Sequence, residues 1–456
     1  MARTRTGFFC TDCGNETARW QGQCPACGSW NTLVEEPVSA TPRGADHAAR
    51  SARAPAAAPV RLAEVSAADA ERWQSGLEEF DFVLGGGIVP ASLVLIGGEP
   101  GVGKSTLLLQ VAARLQSAGR KVLYVSGEES AAQTRLRADR LLERAGEVSF
   151  LGETRLEAIL AAAAHVTPAA LCIDSIQTMY LDDLDGAPGS VTQVRECAAR
   201  LQRFAKESGI AVFVIGHVTK GGTVAGPRTL EHIVDTVLYF EGDAGLDHRV
   251  LRATKNRFGS VDEIGVFRMT AGGLAAVANP SELFLGDRRA AAAGSAVAAV
   301  IEGTRPLLIE VQALCARTTW GTPQRVSSGI DRQRLALLLA IVERRAGMPL
   351  AEQDVFVNVV GGVRVAETAS DLAVVAALLS TALDRAVPAD AAFIGELGLG
   401  GEVRAVPVLE RRLAEAARMG FTRVFVAERA GARDAGLPVA LERVRDVRAL
   451  AQALFG

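Results

Sequence analysis

Short apolar runs bounded by polar residues recur through the middle of the chain, at Leu93 to Ile96, Val122 to Val125, Leu171 to Ile173, Val212 to Ile215 and Val237 to Phe240. Runs of this length without alternation predict strands buried on both faces, as in a largely parallel sheet. Between them Lys104 to Ser117 and Val191 to Glu207 carry helical spacing. The alternation of strand and helix predicts a doubly wound α/β sheet.

The two ends of the chain follow different patterns. A Cys-rich head closes at about Val34, and Glu35 to Pro59 is dominated by Ala, Pro, Arg and Ser without apolar periodicity, which predicts a flexible linker. A second boundary is expected near Asn279-Pro280 or within the Ala-rich stretch Arg289 to Ala299. Beyond it an α+β pattern predicts strands at Leu307 to Ala313, Phe356 to Val359 and Val424 to Val426. Helices are predicted at Arg332 to Arg345, Ser370 to Leu383 and Leu409 to Met419. The expected organisation is a head at 1–34, a linker at 35–59, a core at 60–279 and a C-terminal domain at 280–456.

The 456 residues suit two or three domains, and 49% hydrophobic against 22% charged residues is the balance of a globular chain. With 49 Lys plus Arg against 52 Asp plus Glu, the net charge of -3 gives no global attraction to nucleic acid, so any such site is local. The basic N-terminus runs into cysteines rather than an apolar stretch, and no segment reaches the roughly 18 apolar residues that span a bilayer. A cytoplasmic protein with no membrane partner is expected. Four of seven cysteines crowd into the first 27 residues, while Cys172, Cys197 and Cys315 are scattered, which argues against a disulfide framework.

Those four define the first motif: Cys10-x-x-Cys13, ten residues, then Cys24-x-x-Cys27. Two residues between thiolates let a tight knuckle aim both sulfurs at one Zn²⁺, and four cysteine ligands make the site structural, since a catalytic zinc keeps a position open for water. Arg19, Trp20 and Trp30 in the same head suit DNA, a partner protein, or mere packing.

The second motif is Gly98-Glu99-Pro100-Gly101-Val102-Gly103-Lys104-Ser105, followed by Thr106, between a predicted strand and a predicted helix. Glycines at this spacing let backbone N–H groups wrap the phosphates of ATP. Lys104 neutralises the β and γ groups, and Ser105 holds Mg²⁺. Downstream, Asp174 ends an apolar strand where a carboxylate orients the Mg²⁺ shell. Another strand ends in Glu128-Glu129, either of which can align the attacking water, with Glu128 favoured. His217 ends a further strand, placed either to sense the γ-phosphate or to serve structure alone.

The four-Cys head with Trp20 and Trp30-Asn31-Thr32-Leu33, the segment Leu84-Gly85-Gly86-Gly87-Ile88-Val89-Pro90, the phosphate loop, and Lys255-Asn256-Arg257-Phe258-Gly259 together resemble the bacterial RadA (Sms) family over nearly the whole chain. The resemblance implies a RecA-like ATPase core and a hexameric ring motor similar to DnaB-type helicases. Such a motor acts on single-stranded and branched DNA and assists RecA in recombination and repair by driving branch migration. It also implies that the Lys255 to Gly259 pentapeptide binds DNA and couples it to hydrolysis across subunits, with Lys255 and Arg257 as its cations. A strand ending in paired cations is physically suited to reach a neighbour's γ-phosphate or to grip DNA phosphates.

The C-terminal part resembles the peptidase domain of Lon, with both catalytic positions changed. Ala369 stands where the nucleophile is expected, Ser370 is displaced by one residue, and Glu410 replaces the catalytic Lys. One residue on a helix turns a side chain by about 100°, so Ser370 cannot simply substitute. A non-proteolytic scaffold is expected. An ATP-driven protease and a KaiC-like signalling ATPase are the alternatives from other classes.

Overall fold

The computed structural model describes residues 5–11, 15–38, 61, 71–141, 147–217, 230–242, 248–261, 263–285, 292–318, 321–431 and 438–456. The chain divides into two compact units, Met1–Ala276 and Val277–Gly456.

In the head, β1 (Arg5–Cys10) pairs antiparallel with both β2 (Glu16–Thr17) and β3 (Leu33–Val38). The pairing runs from Cys10↔Leu33 to Arg5↔Val38, so the head extends past the expected close at Val34. Composition hid this: Glu35, Glu36 and Pro37 read as linker, yet β3 is an edge strand, where Pro is tolerated. The rest of the expected linker, 39–59, lies outside the described residues.

The core follows the predicted alternation. After the short helix α1 (Glu78–Val83) come β4 (Leu93–Gly98), α2 (Lys104–Ser117), β5 (Val122–Ser126), α3 (Ala131–Leu141), β6 (Ser149–Leu151), α4 (Leu156–Val166), β7 (Ala170–Asp174), α5 (Val191–Ser208), β8 (Ala211–His217) and β9 (Thr236–Glu241). These strands pair in parallel in the order β9-β4-β8-β7-β5-β6. Apolar clusters cover both faces of the sheet, one containing Leu107, Val111 and Phe213 and the other Leu93, Ile173 and Leu201. Two-faced burial is why the strands read as unbroken apolar runs.

Three antiparallel strands extend the same sheet beyond β9: β10 (His248–Asn256), β11 (Ile264–Thr270) and β12 (Gly273–Ala276). The sequence pattern did not delimit them, because Arg249, Arg252 and Lys255 interrupt the apolar run of β10. The second unit opens with α6 (Pro280–Phe284), capped by Asn279 with Pro280 at its first position. The expected boundary dipeptide thus starts a helix, and the two compact units part between Ala276 and Val277.

The end of the Ala-rich stretch expected as an alternative boundary, from Ser295 onward, lies in a central strand instead. β13 (Ser295–Glu302) pairs with β14 (Arg305–Arg317) and β17 (Ala391–Ile394) in a seven-stranded mixed sheet. That sheet is completed by β15 (Arg325–Ser328), β16 (Gln353–Val359), β20 (Arg423–Ala427) and β21 (Ala440–Val444). A two-strand ladder, β18 (Glu396–Leu397) and β19 (Val403–Arg404), lies outside it. The helices are α7 (Arg332–Ile341), continued by a π-helical turn Val342–Ala346, then α8 (Asp371–Leu383), α9 (Leu409–Arg418) and α10 (Val447–Phe455). Ala296, Ala298 and Ala299 are buried with Ala373, Ala376 and Ala377 of α8. Small side chains allow close packing of helix on sheet, a role that composition alone confuses with a linker.

Candidate functional site: a nucleotide cleft and a distant cationic motif

The phosphate loop leaves the carboxyl end of β4 with Gly98, Gly101 and Gly103 at φ of 152°, 79° and 113°. A Cβ at Gly98 would lie 2.5 Å from the Phe240 carbonyl oxygen, while at Gly101 nothing lies within 4 Å. The loop is pinned at its root and open at its mouth. Helix α2 begins at Lys104 with Gly103 as its N-cap and no side-chain cap. The first N–H groups of a helix have no intrahelical acceptor, so those of Lys104, Ser105 and Thr106 are left for an anion.

Lys104 is buried and donates to the carbonyls of Gly98 (2.8 Å) and Glu99 (2.9 Å). Burial lowers its pKa, and the negative charges of Asp174 and Glu128 oppose that shift. Both carboxylates arrive on neighbouring strands. In the order β4-β8-β7-β5, Gly98 pairs with His217 and Ser126 with Asp174, so the loop, His217, Asp174 and Glu128 occupy the carboxyl ends of four adjacent parallel strands. The side chain of His217 lies outside the described part of the structure.

Asp174 accepts a hydrogen bond from the buried Tyr124 hydroxyl at 2.8 Å, and burial, followed by the same carboxylate, raises the Tyr124 pKa well above its usual value. Glu128 accepts from the Ser175 hydroxyl, whereas Glu129 is paired with Arg137 on α3. Gly127 separates them from the strand because a Cβ there would meet Thr178 Oγ1 at 2.3 Å. Tyr124, Ser175 and Arg249 were not singled out from sequence. Arg249 crosses Gly242 and donates to the Val102 carbonyl at 3.2 Å, bracing the loop from β10. Only a folded sheet brings β10 to the loop, so no local signal could have found it.

The pentapeptide 255–259 occupies the opposite edge of the same sheet. Thr236 pairs with both Val94 and Asn256, while Phe240 pairs with Gly98, so four residues of strand, about 13 Å, separate the motif from the loop. Lys255 donates to the carbonyls of Glu231 and, at 2.9 Å, Val234; burial, followed by the charge of Arg257, lowers its pKa. Asn256 donates to the Leu84 carbonyl (3.2 Å) and accepts from the Phe258 N–H (2.9 Å). Gly259 lies against Gly85, where either Cβ would come within about 3.1 Å of the other's Cα. Arg72 donates to the carbonyls of Gly85 and Phe258, tying the glycine turn to the motif. Arg257 stands half exposed, 3.5 Å from the buried carboxylate of Asp235.

In the head, Cys10, Cys24 and Cys27 bring their sulfurs within 4.8 Å of one another, with Cys10 and Cys27 at 3.6 Å. A tetrahedral zinc with Zn–S of about 2.3 Å has sulfurs about 3.8 Å apart, so these residues fit the ion. Cys13 lies outside the described residues. Trp20 and Trp30 are exposed.

In the second unit, Ala369 is fully buried and the Ser370 hydroxyl donates to the Glu367 carbonyl at 2.8 Å. The Glu367 carboxylate is held by Arg412 of α9, while Glu410 faces solvent. Residues 277–456 contain neither Lys nor His. A guanidinium remains protonated, so this unit supplies neither the amine nor the imidazole that would activate a serine. Among the described residues no helix is long and apolar enough to cross a membrane.

Comparison with known proteins agrees with these features. Residues 58–223 match a family described as an AAA domain, 8–35 a rubredoxin metal binding domain, and 324–430 subunit ChlI of Mg-chelatase. The chain is 50% identical to DNA repair protein RadA of Bacillus subtilis over 427 residues, 93% of each chain. It is 51% identical to the protein of that name from Pseudomonas aeruginosa over 427 residues, again 93% of each, and 48% identical to that of Escherichia coli over 425 residues, 92% of each.

Proposed function

The chain belongs to the RadA family of DNA repair proteins, and from that premise we propose that it is a DNA-dependent ATPase working as a ring of identical subunits on recombination intermediates. ATP sits on the loop 98–105, with Lys104 on the β and γ phosphates and the N–H groups of Lys104 to Thr106 completing the cradle. Ser105 and Asp174 would hold the Mg²⁺, which when bound would neutralise charge on the β and γ phosphate oxygens. Glu128 aligns the attacking water, His217 senses the γ-phosphate, and Zn²⁺ on Cys10, Cys13, Cys24 and Cys27 holds the head together.

The observation that carries this reading is the separation of the two functional ends. Within one subunit Lys255 and Arg257 lie at the sheet edge away from the phosphate loop. Coupling of DNA to hydrolysis therefore runs from the motif of one subunit to the loop of the next, as the closed ring supplies. Branch migration of RecA-made joints is the task such a ring performs. The C-terminal unit acts as a non-proteolytic scaffold, as the lack of any Lys or His there supports.

The test is hydrolysis of ATP by the full chain with and without single-stranded oligonucleotide. We expect stimulation by DNA, abolition in Lys104→Ala, and loss of stimulation in Arg257→Ala. Equal turnover with and without DNA across a salt series would refute the proposal.

A further inference from the structure

The motif 255–259 carries two cations, but the structure employs them differently. Lys255 is directed inward onto the Glu231 and Val234 carbonyls, where it braces the turn that precedes β9. Arg257 remains half exposed, with its side chain 52% accessible. A third cation reaches the same place from a distant part of the chain. Lys206, in the last turn of α5, places Nζ 2.9 Å from Asp235 Oδ2 and 5.7 Å from the centre of the Phe258 ring.

Asp235 is 1% exposed, and its carboxylate also accepts from the Leu93 N–H at 3.0 Å. One buried carboxylate thus holds two outward cations, Lys206 at 46% and Arg257 at 52% exposure. One partner would be enough to balance a buried charge. Lys206 and Arg257 both face Asp235, while Lys255 lies beside Asp235 and Glu231, so among these described residues the accessible pair carries charge that Asp235 alone does not balance. Phe258 stacks beneath Lys206, restricting where its ammonium can go.

We infer that Lys206 and Arg257 form a two-cation site for a phosphate group, oriented by Asp235 at the amino edge of the core sheet. This rests on the reading of the pentapeptide as an anion-gripping motif and adds to it a residue about 50 positions upstream in the chain. The phosphate comes either from a DNA backbone or from nucleotide bound to an adjoining subunit.

The full-length chain is titrated with fluorescein-labelled oligothymidylate over roughly 50 to 200 mM salt, and its DNA-free ATP hydrolysis is measured in parallel. If DNA is the source, Lys206→Ala and Arg257→Ala each flatten the plot of log affinity against log salt by about 0.7, the single-strand value for one phosphate contact, and Lys206→Arg restores it. If the source is nucleotide, the slope stays and DNA-free hydrolysis falls at least about tenfold in both alanine variants. Asp235→Asn tests the positioning role: removing a negative charge alone would steepen the slope, whereas loss of orientation flattens it or slows hydrolysis. Wild-type slope and hydrolysis in Lys206→Ala, with Arg257→Ala still affected, would overturn this inference alone. Silence of both variants would instead remove the reading on which it stands. Thermal midpoints of each variant identify any that fail to fold.

Discussion

Glu128 and Glu129 are chain neighbours with opposite surroundings. The first faces Lys104 and takes a hydrogen bond from Ser175, and the second is paired to Arg137 on α3. A residue that aligns water must point at the phosphate, so Glu128→Gln is expected to keep ATP binding while slowing hydrolysis at least about a hundredfold. Glu129→Gln should cost less than about tenfold, since a partly exposed pair contributes little. Steady-state turnover beside nucleotide affinity by fluorescent ATP analogue decides it, and the reverse ranking would reassign the role. The glycines, Lys104 and Ser105 are legible in sequence because they lie within one short motif with one mechanical reading, whereas Asp174 ends an apolar strand that also suits a turn and is tied to the loop only by the sheet order. The choice between the two glutamates is not legible there, because it depends on Ser175 and Arg137, which are adjacent to them only in space.

At the scale of elements, apolar pattern located five of the six parallel strands, all but the short and partly exposed β6, and the helix after the phosphate loop, where burial on both faces makes the signal dense. It missed β10 to β12 and β13, where charge or alanine replaces the bulky aliphatic residues that such a pattern detects. Two helix ends among the described residues hold a β-branched residue in the left-handed region, Thr167 after α4 and Val408 before α9. Val408, the N-cap of α9, sits at φ 56° and ψ 36°, a left-handed conformation that a β-branched residue avoids. Its side chain is exposed, so little packing is lost on removal. Strain relief of about 1–3 kcal/mol outweighs the added unfolded-state freedom of glycine, about 0.5–1 kcal/mol. Val408→Gly should therefore stabilise the second unit by about 1 kcal/mol, seen as a higher urea midpoint in hydrogen exchange of α8. A lower midpoint would show that the left-handed turn is not strained.

For the molecule as a whole, the head and core rest on different foundations. Among the described residues of the head the buried apolar side chains are Phe9, Cys10, Cys24 and Leu33, so two of the thiols that suit zinc are half of that small interior. Chelation should unfold the head, read as rapid proteolysis within residues 5–38, while ATP affinity of the core changes less than about twofold, because metal binding and folding of such a module are one equilibrium. Loss of ATP binding on chelation would mean that the core depends on the metal.

The opposed placement of loop and pentapeptide has a consequence for mixtures. In the proposed ring every productive junction would take its loop from one protomer and its cations from another, so two dead proteins need not make a dead blend. Lys104→Ala lacks a working socket but offers sound cations; Arg257→Ala has the reverse defect. Blended in equal parts, they should recover up to about a quarter of normal DNA-stimulated turnover, the share of junctions in which chance seats two undamaged faces together. A blend as inert as its ingredients would mean that each protomer works by itself.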